Sequence, residues 1–195
     1  MSSDKYFARV DGSHKFSKDS FRVTKEVIRY GIEDGGVFYG IKYFEVDWLD
    51  KVSPLDLFPE FMRDDLCIRY MTINHAIYPH TDSGISVAVN FYMNTTDEAT
   101  NFHEIATDNP RMLKLETQTN GSVFFPSDLK KMCSFVATSG DIYVLDVTKI
   151  HSVMNEEVVP LKSTREAVAV NSYVYDYETI KNALLTKLHD DRNSH

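Results

Sequence analysis

The sequence ISVAVNFYM at residues 85–93 decides the fold, because it alternates more regularly than any other stretch of the chain. Successive side chains of a β-strand point to opposite faces of its sheet. The large apolar side chains Ile85, Val87, Val89 and Phe91 would therefore share one face, and the smaller or more polar ones would share the other. This pattern predicts a β-strand, and the neighbouring segments can be interpreted outward from it.

Short stretches with strand character lie on both sides of residues 85–93, separated by turn residues. They are residues 67–78, 101–106, 112–117, 122–125, 135–138, 142–145, a segment that begins at 153, and 164–174. Many short strands at this spacing are typical of a sandwich or jelly roll. We therefore expect a mainly β protein. Its fold would be a double-stranded β-helix, a cupin-like jelly roll with a core at about 66–175, in a single domain over residues 1–195.

Helices are expected at the two ends of this β core. N-terminal helices are predicted over residues 17–30 and from Ser53-Pro54, where a serine N-cap precedes a proline at the first helical position. A C-terminal helix is predicted over residues 177–188. Its apolar residues recur at helical spacing, at Ile180, Leu184, Leu185 and Leu188. The expected fold is thus a jelly roll with flanking N-terminal helices and a C-terminal helix.

Composition and charge limit the classes of partner. The 195 residues carry 21 Lys and Arg against 29 Asp and Glu, a formal net charge of −8. An acidic surface repels phosphate backbones, so nucleic acid is disfavoured as a partner. The first ten residues lack the apolar core of a signal peptide, and no apolar run is long enough for a membrane span. The two cysteines, Cys67 and Cys133, form no Cys-x-x-Cys pair, so we expect reduced thiols and a cytoplasmic protein without a membrane partner.

A His-x-Asp motif, His80-Thr81-Asp82, directly precedes the alternating strand, and His151 follows the strand predicted at 142–145. Residues i and i+2 of a strand point the same way, so the first histidine and the aspartate can both face one ion. Two His and one carboxylate form a facial triad that leaves positions open on the metal, and these donors suit Fe(II), Mn(II) or Zn(II). A His-x-Asp pair also occurs by chance, and residues 79–84 could form a plain surface turn. The strands around the three residues favour the metal site.

Arg165 begins the last predicted strand and shares its face with Ala167, Ala169 and Asn171. Small side chains inside a barrel leave room for a ligand, and an arginine at one end can bind a carboxylate through two hydrogen bonds. A buried arginine without a partner is costly, which favours an anionic ligand. The alternative is a salt bridge from Arg165 to Glu166, Asp176 or another acid.

From about residue 66 to 174 the chain resembles the Fe(II)- and 2-oxoglutarate-dependent dioxygenases. Residues 70–94, in which a tyrosine lies ten residues before His-x-Asp and the motif NFYMN follows it, are similar to the prolyl-hydroxylase branch. Residues 140–155, GDIYVLDVTKIHSVMN, and Pro79-His80-Thr81 resemble the aspartyl/asparaginyl β-hydroxylase branch. The resemblance implies a double-stranded β-helix, bound Fe(II), 2-oxoglutarate as cosubstrate, and O2.

The resemblance also implies roles for single residues. The implied catalytic metal ligands are His80, Asp82 and His151. Arg165 with Tyr92 would hold the far carboxylate of 2-oxoglutarate, Tyr70 would lie in the same pocket, and Asn74 shares the strand phase of Tyr70. One departure concerns the anchor, because the family has a basic residue about ten residues after the distal histidine. Arg165 lies fourteen residues after it and Lys162 eleven. Arg165 is preferred because an apolar strand follows it, and Lys162 is the alternative.

Three functions from different classes are compatible with these features. The first is a 2-oxoglutarate-dependent hydroxylase of a peptide or a small molecule, with succinate and CO2 as coproducts. The second is a cupin-like metal-binding jelly roll, such as an isomerase or a binding module, which would need neither Arg165 nor Tyr92. The third is a structural jelly roll, for example a virion-associated protein, without metal affinity. The first is the prediction, because four spaced features agree on it.

Overall fold

The computed structural model describes residues 3–10, 13–113, 121–154 and 160–193. The described part is mainly β, as expected, with thirteen strands, two α-helices and four short 3-10 turns. The strands are β1 (Phe7–Val10), β2 (Phe21–Asp34), β3 (Val37–Trp48), β4 (Leu66–His75), β5 (Ile77–His80), β6 (Val87–Asn94), β7 (Thr100–Ile105), β8 (Met112–Leu113), β9 (Val123–Phe124), β10 (Leu129–Phe135), β11 (Ile142–Asp146), β12 (Ile150–Val153) and β13 (Pro160–Ser172). The helices are α1 (Glu60–Arg63) and α2 (Tyr177–Asn193).

The strands form two antiparallel sheets. The large sheet has seven strands in the order β1-β11-β6-β13-β4-β3-β2, and the small sheet has six in the order β10-β7-β12-β5-β9-β8. The strand pairings among the described residues are all antiparallel. Strands distant in sequence become neighbours, as where β13 lies between β4 and β6. The sheets are therefore held together by long-range pairings.

The two sheets pack face to face around a shared core. The rings of Tyr143 on the large sheet and Phe135 on the small sheet stack with centroids 3.9 Å apart. Phe7 of the large sheet likewise stacks on Phe102 of the small sheet at 5.7 Å. We call the side of each sheet that lines this core its inner face. The arrangement is a β-sandwich, in which side chains from both inner faces fill the space between the sheets.

The outer face of the large sheet carries a second core. Its buried apolar residues include Val87, Val89, Phe91, Val168 and Val170. Helix α2 covers this face with Ile180 and Leu184, which are 1% and 0% exposed. The strand predicted at 85–93 is confirmed as β6 from Val87 onward, with Val87, Val89 and Phe91 on one face. Ile85 precedes the strand and packs against the core between the sheets, so its predicted place on that face is wrong. The predicted C-terminal helix is confirmed as α2. Within the described ranges, no helix has both the length and the apolar character needed to cross a membrane.

The prediction of flanking N-terminal helices is wrong for residues 17–30. This segment contains the short 3-10 turn Lys18–Ser20 and then the edge strand β2, which pairs with β3. The register of that pairing shifts twice, between Val23 and Lys25 and between Glu26 and Ile28. Each shift is a β-bulge, which adds one residue and moves the following side chains to the other face. The bulges interrupt the alternation that marks a strand, so the sequence did not indicate one.

The second predicted N-terminal helix is short. Ser53 caps the 3-10 turn Pro54–Leu57, as the sequence predicted, and accepts a hydrogen bond from the N–H of Leu55. Pro59 lacks the N–H needed to continue that turn, so α1 begins after it and has only four residues. Of the strand predicted over residues 112–117, only β8 lies among the described residues. The N-terminal part of the chain therefore extends the large sheet instead of flanking the core with helices.

Candidate metal centre

His80, Asp82 and His151 come together on the inner face of the small sheet. His80 is the last residue of β5, and His151 lies on the neighbouring strand β12. The two histidines are direct partners in the antiparallel register. Asp82 lies two residues after His80, in the connection to β6, where its N–H donates a hydrogen bond to the carbonyl of Val147. Strand pairing thus joins His80 and His151, which are 71 positions apart in the sequence.

The three side chains have the spacing of a metal centre. Each offers one ligand atom, and these atoms all lie within 4.8 Å of one another. His80 Nε2 lies 3.4 Å from Asp82 Oδ1, and the two imidazole centroids are 4.3 Å apart. Two adjacent ligands about 2.1 Å from one octahedral ion would lie roughly 3 Å apart, so small side-chain rotations bring the three atoms onto one ion. The cluster is open on one side, since His80 and Asp82 are 21% and 18% exposed.

Both imidazoles are held by their Nδ1 atoms. His80 Nδ1 lies 2.8 Å from the carbonyl oxygen of Tyr78, and His151 Nδ1 lies 3.0 Å from that of Lys149. Because a carbonyl oxygen only accepts hydrogen bonds, Nδ1 carries the proton in both rings. Nε2 of each ring is then left as the ligand atom. Metal-binding histidines are usually oriented by such a contact, so the donor set fits a divalent ion.

The ionisation of the cluster supports the same interpretation. Burial alone lowers the pKa of His80, but the hydrogen bond and charge of Asp82 outweigh burial and raise it. Burial alone raises the pKa of Asp82, yet the contact with His80 and the nearby His151 lower it overall. Burial, followed by the charge of His80, lowers the pKa of His151 to about 4. The carboxylate is thus ionised and one histidine neutral, and a divalent ion would displace the proton that His80 shares with Asp82.

Thr81, between two of the ligands, is clamped by a neighbouring loop. Its N–H donates to the carbonyl of Ser122, and its hydroxyl accepts from the N–H of Ser122. Gly121 packs against the same backbone with a φ of 98°, and a Cβ added there would overlap the carbonyl oxygen of Thr81. Only glycine combines this left-handed backbone with so close an approach. The clamp fixes the direction in which His80 and Asp82 point.

Arg165 lies on the inner face of the large sheet and is 1% exposed. One guanidinium nitrogen donates to Thr100 Oγ1 at 2.9 Å, and another lies 3.4 Å from the carbonyl oxygen of Glu98. The group stacks over the ring of Tyr92 at 4.6 Å, and its Nε has no hydrogen-bond partner. A carboxylate partner is lacking among the residues that the structure describes. The hydrogen bonds that the structure describes for the guanidinium therefore go to neutral oxygens, and its remaining contact is the ring of Tyr92.

The salt bridge considered as an alternative for Arg165 does not form with either acid named in the sequence analysis. Glu166 points to the outer face, where it pairs with Lys18 at 2.7 Å. Asp176 accepts a hydrogen bond from the N–H of Thr179 at the start of α2. The side chain of Lys162, the rival anchor, lies outside the described residues. Between Arg165 and Lys162, only the side chain of Arg165 is described by the structure, and it lies on the inner face.

Arg165 and the candidate metal ligands His80, Asp82 and His151 face the same interior, and strand register gives their separation along the sheet. Thr100, which Arg165 contacts, is the partner of Val153, and Phe102 is the partner of His151. Thr100, which binds the guanidinium, and Phe102, which pairs with His151, are therefore two residues apart on β7 and share a face. At about 3.3–3.4 Å per residue, that is roughly 6.7 Å. A short ligand with a carboxylate at one end and metal-binding oxygens at the other would span this distance.

Tyr92 and Asn90 line the space beside Arg165. Both lie on the inner face of β6, opposite Ala167 and Ala169 of β13. The amide of Asn90 donates to the Tyr92 hydroxyl at 3.3 Å, while its carbonyl oxygen is buried without a partner. A buried polar atom that lacks a partner is costly, which points to a ligand or water at this position. Asn90 was not predicted as a site residue, although the alternation at 85–93 puts it on the same face as Tyr92.

Tyr70 and Asn74 do not lie in this interior, so the expectation for both is corrected. Their strand β4 pairs with β13, and Tyr70 faces outward beside Val168. The Tyr70 hydroxyl donates to Glu166 at 2.8 Å. Asn74 instead bridges the backbone of β3, where it accepts from the N–H of Gly40 and donates to a carbonyl. The residues of β4 that alternate with Tyr70 and Asn74 face the interior instead. Ile73, for example, is the strand partner of Arg165 and therefore points to the same side.

Comparison with known proteins gives no family assignment. No family model matches the chain, and no curated protein matches it. The function is therefore argued from the arrangement of His80, Asp82, His151 and Arg165 alone.

Proposed function

We propose that this protein is an Fe(II)- and 2-oxoglutarate-dependent oxygenase that hydroxylates an amino-acid side chain of a peptide or a small molecule. The observation that carries the proposal is Arg165, a fully buried guanidinium without a carboxylate partner in the described structure, in the same interior as the His80–Asp82–His151 cluster. A metal-binding jelly roll without 2-oxoglutarate chemistry would not need such a cation. An unpaired buried charge costs several kcal/mol, which a carboxylate ligand would offset.

The strand order supports the proposed jelly-roll form of the fold. Consecutive strands alternate between the sheets, from β4 in the large sheet to β5 in the small one, then β6 and β7. The second half repeats the alternation with β10 to β13. Each central sheet then contains interleaved strands from both halves, β4-β13-β6-β11 and β5-β12-β7-β10. Eight strands wound in this way are what a double-stranded β-helix of the cupin kind requires.

Each residue of the site has a task in the proposed reaction. His80, Asp82 and His151 would hold Fe(II) on one face and leave the other face for the cosubstrate and O2. Arg165 and the Tyr92 hydroxyl would bind the far carboxylate of 2-oxoglutarate, and the unpartnered carbonyl of Asn90 would accept a hydrogen bond from water or ligand. Bound Fe(II) supplies the oxidation, in which 2-oxoglutarate, O2 and a C–H group give succinate, CO2 and a C–OH group. The buried walls around Arg165 and Tyr92 would keep water away from the anchored end of the cosubstrate.

The proposal is tested by the turnover of 2-oxoglutarate to succinate with Fe(II) and ascorbate, without added substrate. The purified protein should show slow turnover. His80→Ala should abolish it, because the facial ligand set is broken. Arg165→Met should raise the 2-oxoglutarate concentration needed by about 10–100-fold, because charge-assisted hydrogen bonds contribute about 1.5–3 kcal/mol each.

Binding measurements separate this function from the alternatives. Calorimetry with Mn(II) in place of Fe(II) should show 2-oxoglutarate binding that depends on both the metal and Arg165. Metal binding without any 2-oxoglutarate binding would favour the cupin-like metal-binding jelly roll. Absence of both would favour a structural role. Lys18→Met is the matched control, since Lys18 is a basic residue paired to Glu166 on the outer face.

A further inference from the structure

A groove of about 460 Å³ lies between residues 13–16, the segment that follows β3, and the helix α2. Its volume falls in the range of about 300–1,000 Å³ that is usual for small-molecule sites. We call it the α2 groove. Among the residues that the structure describes around it, none belongs to the candidate metal centre, so the groove is a separate site. Its apolar lining consists of Phe16, Val52, Leu57, Ile142 and Leu188.

The wall made by residues 13–16 is held in place by hydrogen bonds within the protein. The N–H of His14 donates to the carbonyl of Gly140, and the N–H of Phe16 donates to Nδ1 of His14. Because Nδ1 accepts, Nε2 carries the proton and donates to the carbonyl of Tyr92 at 2.9 Å. Both ring nitrogens are thus engaged, so the groove has its shape without a ligand.

The apolar lining is buried at one point and exposed at another. Ile142, the first residue of β11, is 2% exposed and lies at the bottom of the groove, whereas Val52 is 58% exposed. Phe16, Leu57 and Leu188 pack against the outer core of the large sheet and stay partly exposed. A ligand with an apolar body would remove this contiguous apolar surface from water, which is favourable.

The charges of the groove favour an anion. Its described lining contains Lys15 and Lys51 against Asp50, and no ionic partner within the described ranges is found for any of the three. Burial lowers the pKa of His14, so its ring adds no charge. The lining is therefore net positive, although the whole chain carries −8. Positive charge beside apolar surface complements a molecule with an apolar body and an anionic end.

We propose that the α2 groove binds a medium-chain linear carboxylic acid. The alkyl chain would cover Phe16, Val52 and Leu57, and the carboxylate would lie near Lys15 and Lys51. The inference does not depend on the proposed function, because it uses none of the residues assigned to the metal or to 2-oxoglutarate. It adds a second ligand site to the molecule, with a different ligand class.

The only tryptophan of the chain can report binding. Trp48 packs edge-on against Phe16 with ring centroids 5.2 Å apart, and its indole N–H donates to the carbonyl of Val52 at 2.9 Å. Hexanoate, octanoate and decanoate, each below its micelle concentration, are titrated onto the full chain, and calorimetry measures the same affinities. Binding should be saturable and should change the Trp48 emission. Each added methylene should tighten binding about 2–4-fold until the groove is filled, because its apolar surface is buried.

Variants of the charged residues test the recognition of the carboxylate. The double variant Lys15→Gln/Lys51→Gln should weaken decanoate binding about 5-fold or more, since two exposed ionic contacts are lost. Asp50→Asn should tighten it about 2–3-fold, which a damaged fold would not produce. Lys25→Gln, which removes an exposed lysine of β2 outside the groove, is the matched control and should bind decanoate unchanged. Decanol and decylamine should both bind more weakly than decanoate.

A matched pair of valine variants tests the apolar contact. Val52→Ser should weaken decanoate binding about 3-fold or more, because the groove loses apolar surface. Val136→Ser, at a valine of similar exposure (50%) outside the groove, should not. The inference is overturned if decanol binds as tightly as decanoate, or if the double lysine variant binds decanoate unchanged. An affinity that does not rise with chain length, or the absence of binding by both fluorescence and calorimetry, would also overturn it.

Discussion

The two faces of the large sheet are made by the same strands but differ in chemistry. On β13, Val168 and Val170 face outward and are buried under α2, whereas Arg165, Ala167 and Ala169 face inward. The outer face is uniformly apolar at its centre and is packed without unpaired charge. The inner face combines alanines with a buried cation. We therefore expect the outer face to contribute more to the free energy of unfolding. The inner face has small side chains and a polar interior where large apolar side chains could have packed.

The two faces of the small sheet also differ, and each of them carries a histidine. His151 faces inward toward His80 and Asp82, while the adjacent Ser152 and its neighbour His103 face outward and hydrogen-bond to each other at 2.9 Å. A histidine on each face of one sheet offers a direct comparison. If the inner faces serve function and the other faces serve structure, substitutions on the two sides should separate ligand binding from folding.

The largest effect is expected on the outer face. Leu184→Ala should lower the free energy of unfolding by about 2–5 kcal/mol, because Leu184 is fully buried between α2 and the large sheet. Urea denaturation measures it, and Mn(II) affinity of the folded protein should not change. Leu185→Ala is the matched control on the same helix, since Leu185 is 41% exposed and should cost less than about 0.5 kcal/mol. Equal effects of the two would mean that α2 does not pack as described.

His151→Ala should reduce Mn(II) or Co(II) affinity about 100-fold or more, because one of three protein ligands is lost. Stability without metal should change little, since the imidazole makes one hydrogen bond, to a backbone carbonyl. Metal titration by calorimetry measures the affinity. His103→Ala, on the opposite face, should bind metal as the unmodified chain does. A metal affinity that survives His151→Ala would remove this residue from the centre.

Gly121→Ala should weaken metal binding about 10-fold, because its Cβ would push Thr81 and turn His80 and Asp82 away from each other. Some stability is also lost to backbone strain at positive φ. Gly36→Ala controls for that strain. Gly36 has a φ of 78°, but a Cβ there would meet nothing within 4 Å. The clamp is refuted if both variants bind metal equally well.

Arg165→Met should leave the unfolding free energy without ligand within about 1 kcal/mol of the unmodified value, or raise it. Replacing a buried charge by an apolar side chain of similar size removes an incompletely paired group. The measurement is urea denaturation with and without 2-oxoglutarate and Mn(II). The stabilisation by ligand should be lost in the variant. A loss of about 3–5 kcal/mol without ligand would instead identify Arg165 as a structural residue.

The smallest effect concerns pH. Burial and the charge of Lys131 lower the pKa of His103 to about 4. The unfolded chain, with a histidine pKa near 6.5, then binds more protons than the folded one, so stability falls as the pH drops from about 6.5 to 4. Because His103 is partly exposed, solvent screens the effect to about 1 kcal/mol. His151, whose burial also lowers its pKa to about 4, contributes in the same pH range. Urea midpoints at several pH values measure the effect, and His103→Gln should reduce the slope by the share of His103 while the share of His151 remains.

Local pattern predicted much of the molecule. The alternation at residues 85–93 predicted β6 and the outward direction of Val87, Val89 and Phe91, and helical spacing predicted α2. The alternation failed at Ile85, which precedes the strand and packs against the core between the sheets. The same alternation placed Arg165 on one face with the alanines of β13. The pattern failed at β2, where two bulges disturb the alternation. It also failed at Tyr70 and Asn74, because the faces of β4 are assigned by its register with β13, which no local pattern contains.

The sequence by itself determined the types and spacing of the residues, from the His-x-Asp motif to the distant His151 and Arg165. Only the tertiary structure decided that His80 and His151 are partners across β5 and β12, and that Arg165 has a buried nitrogen without a partner. The physical reason is that side-chain alternation and helical spacing are local properties of the chain. Pairing between distant strands depends on the free energy of the whole sandwich.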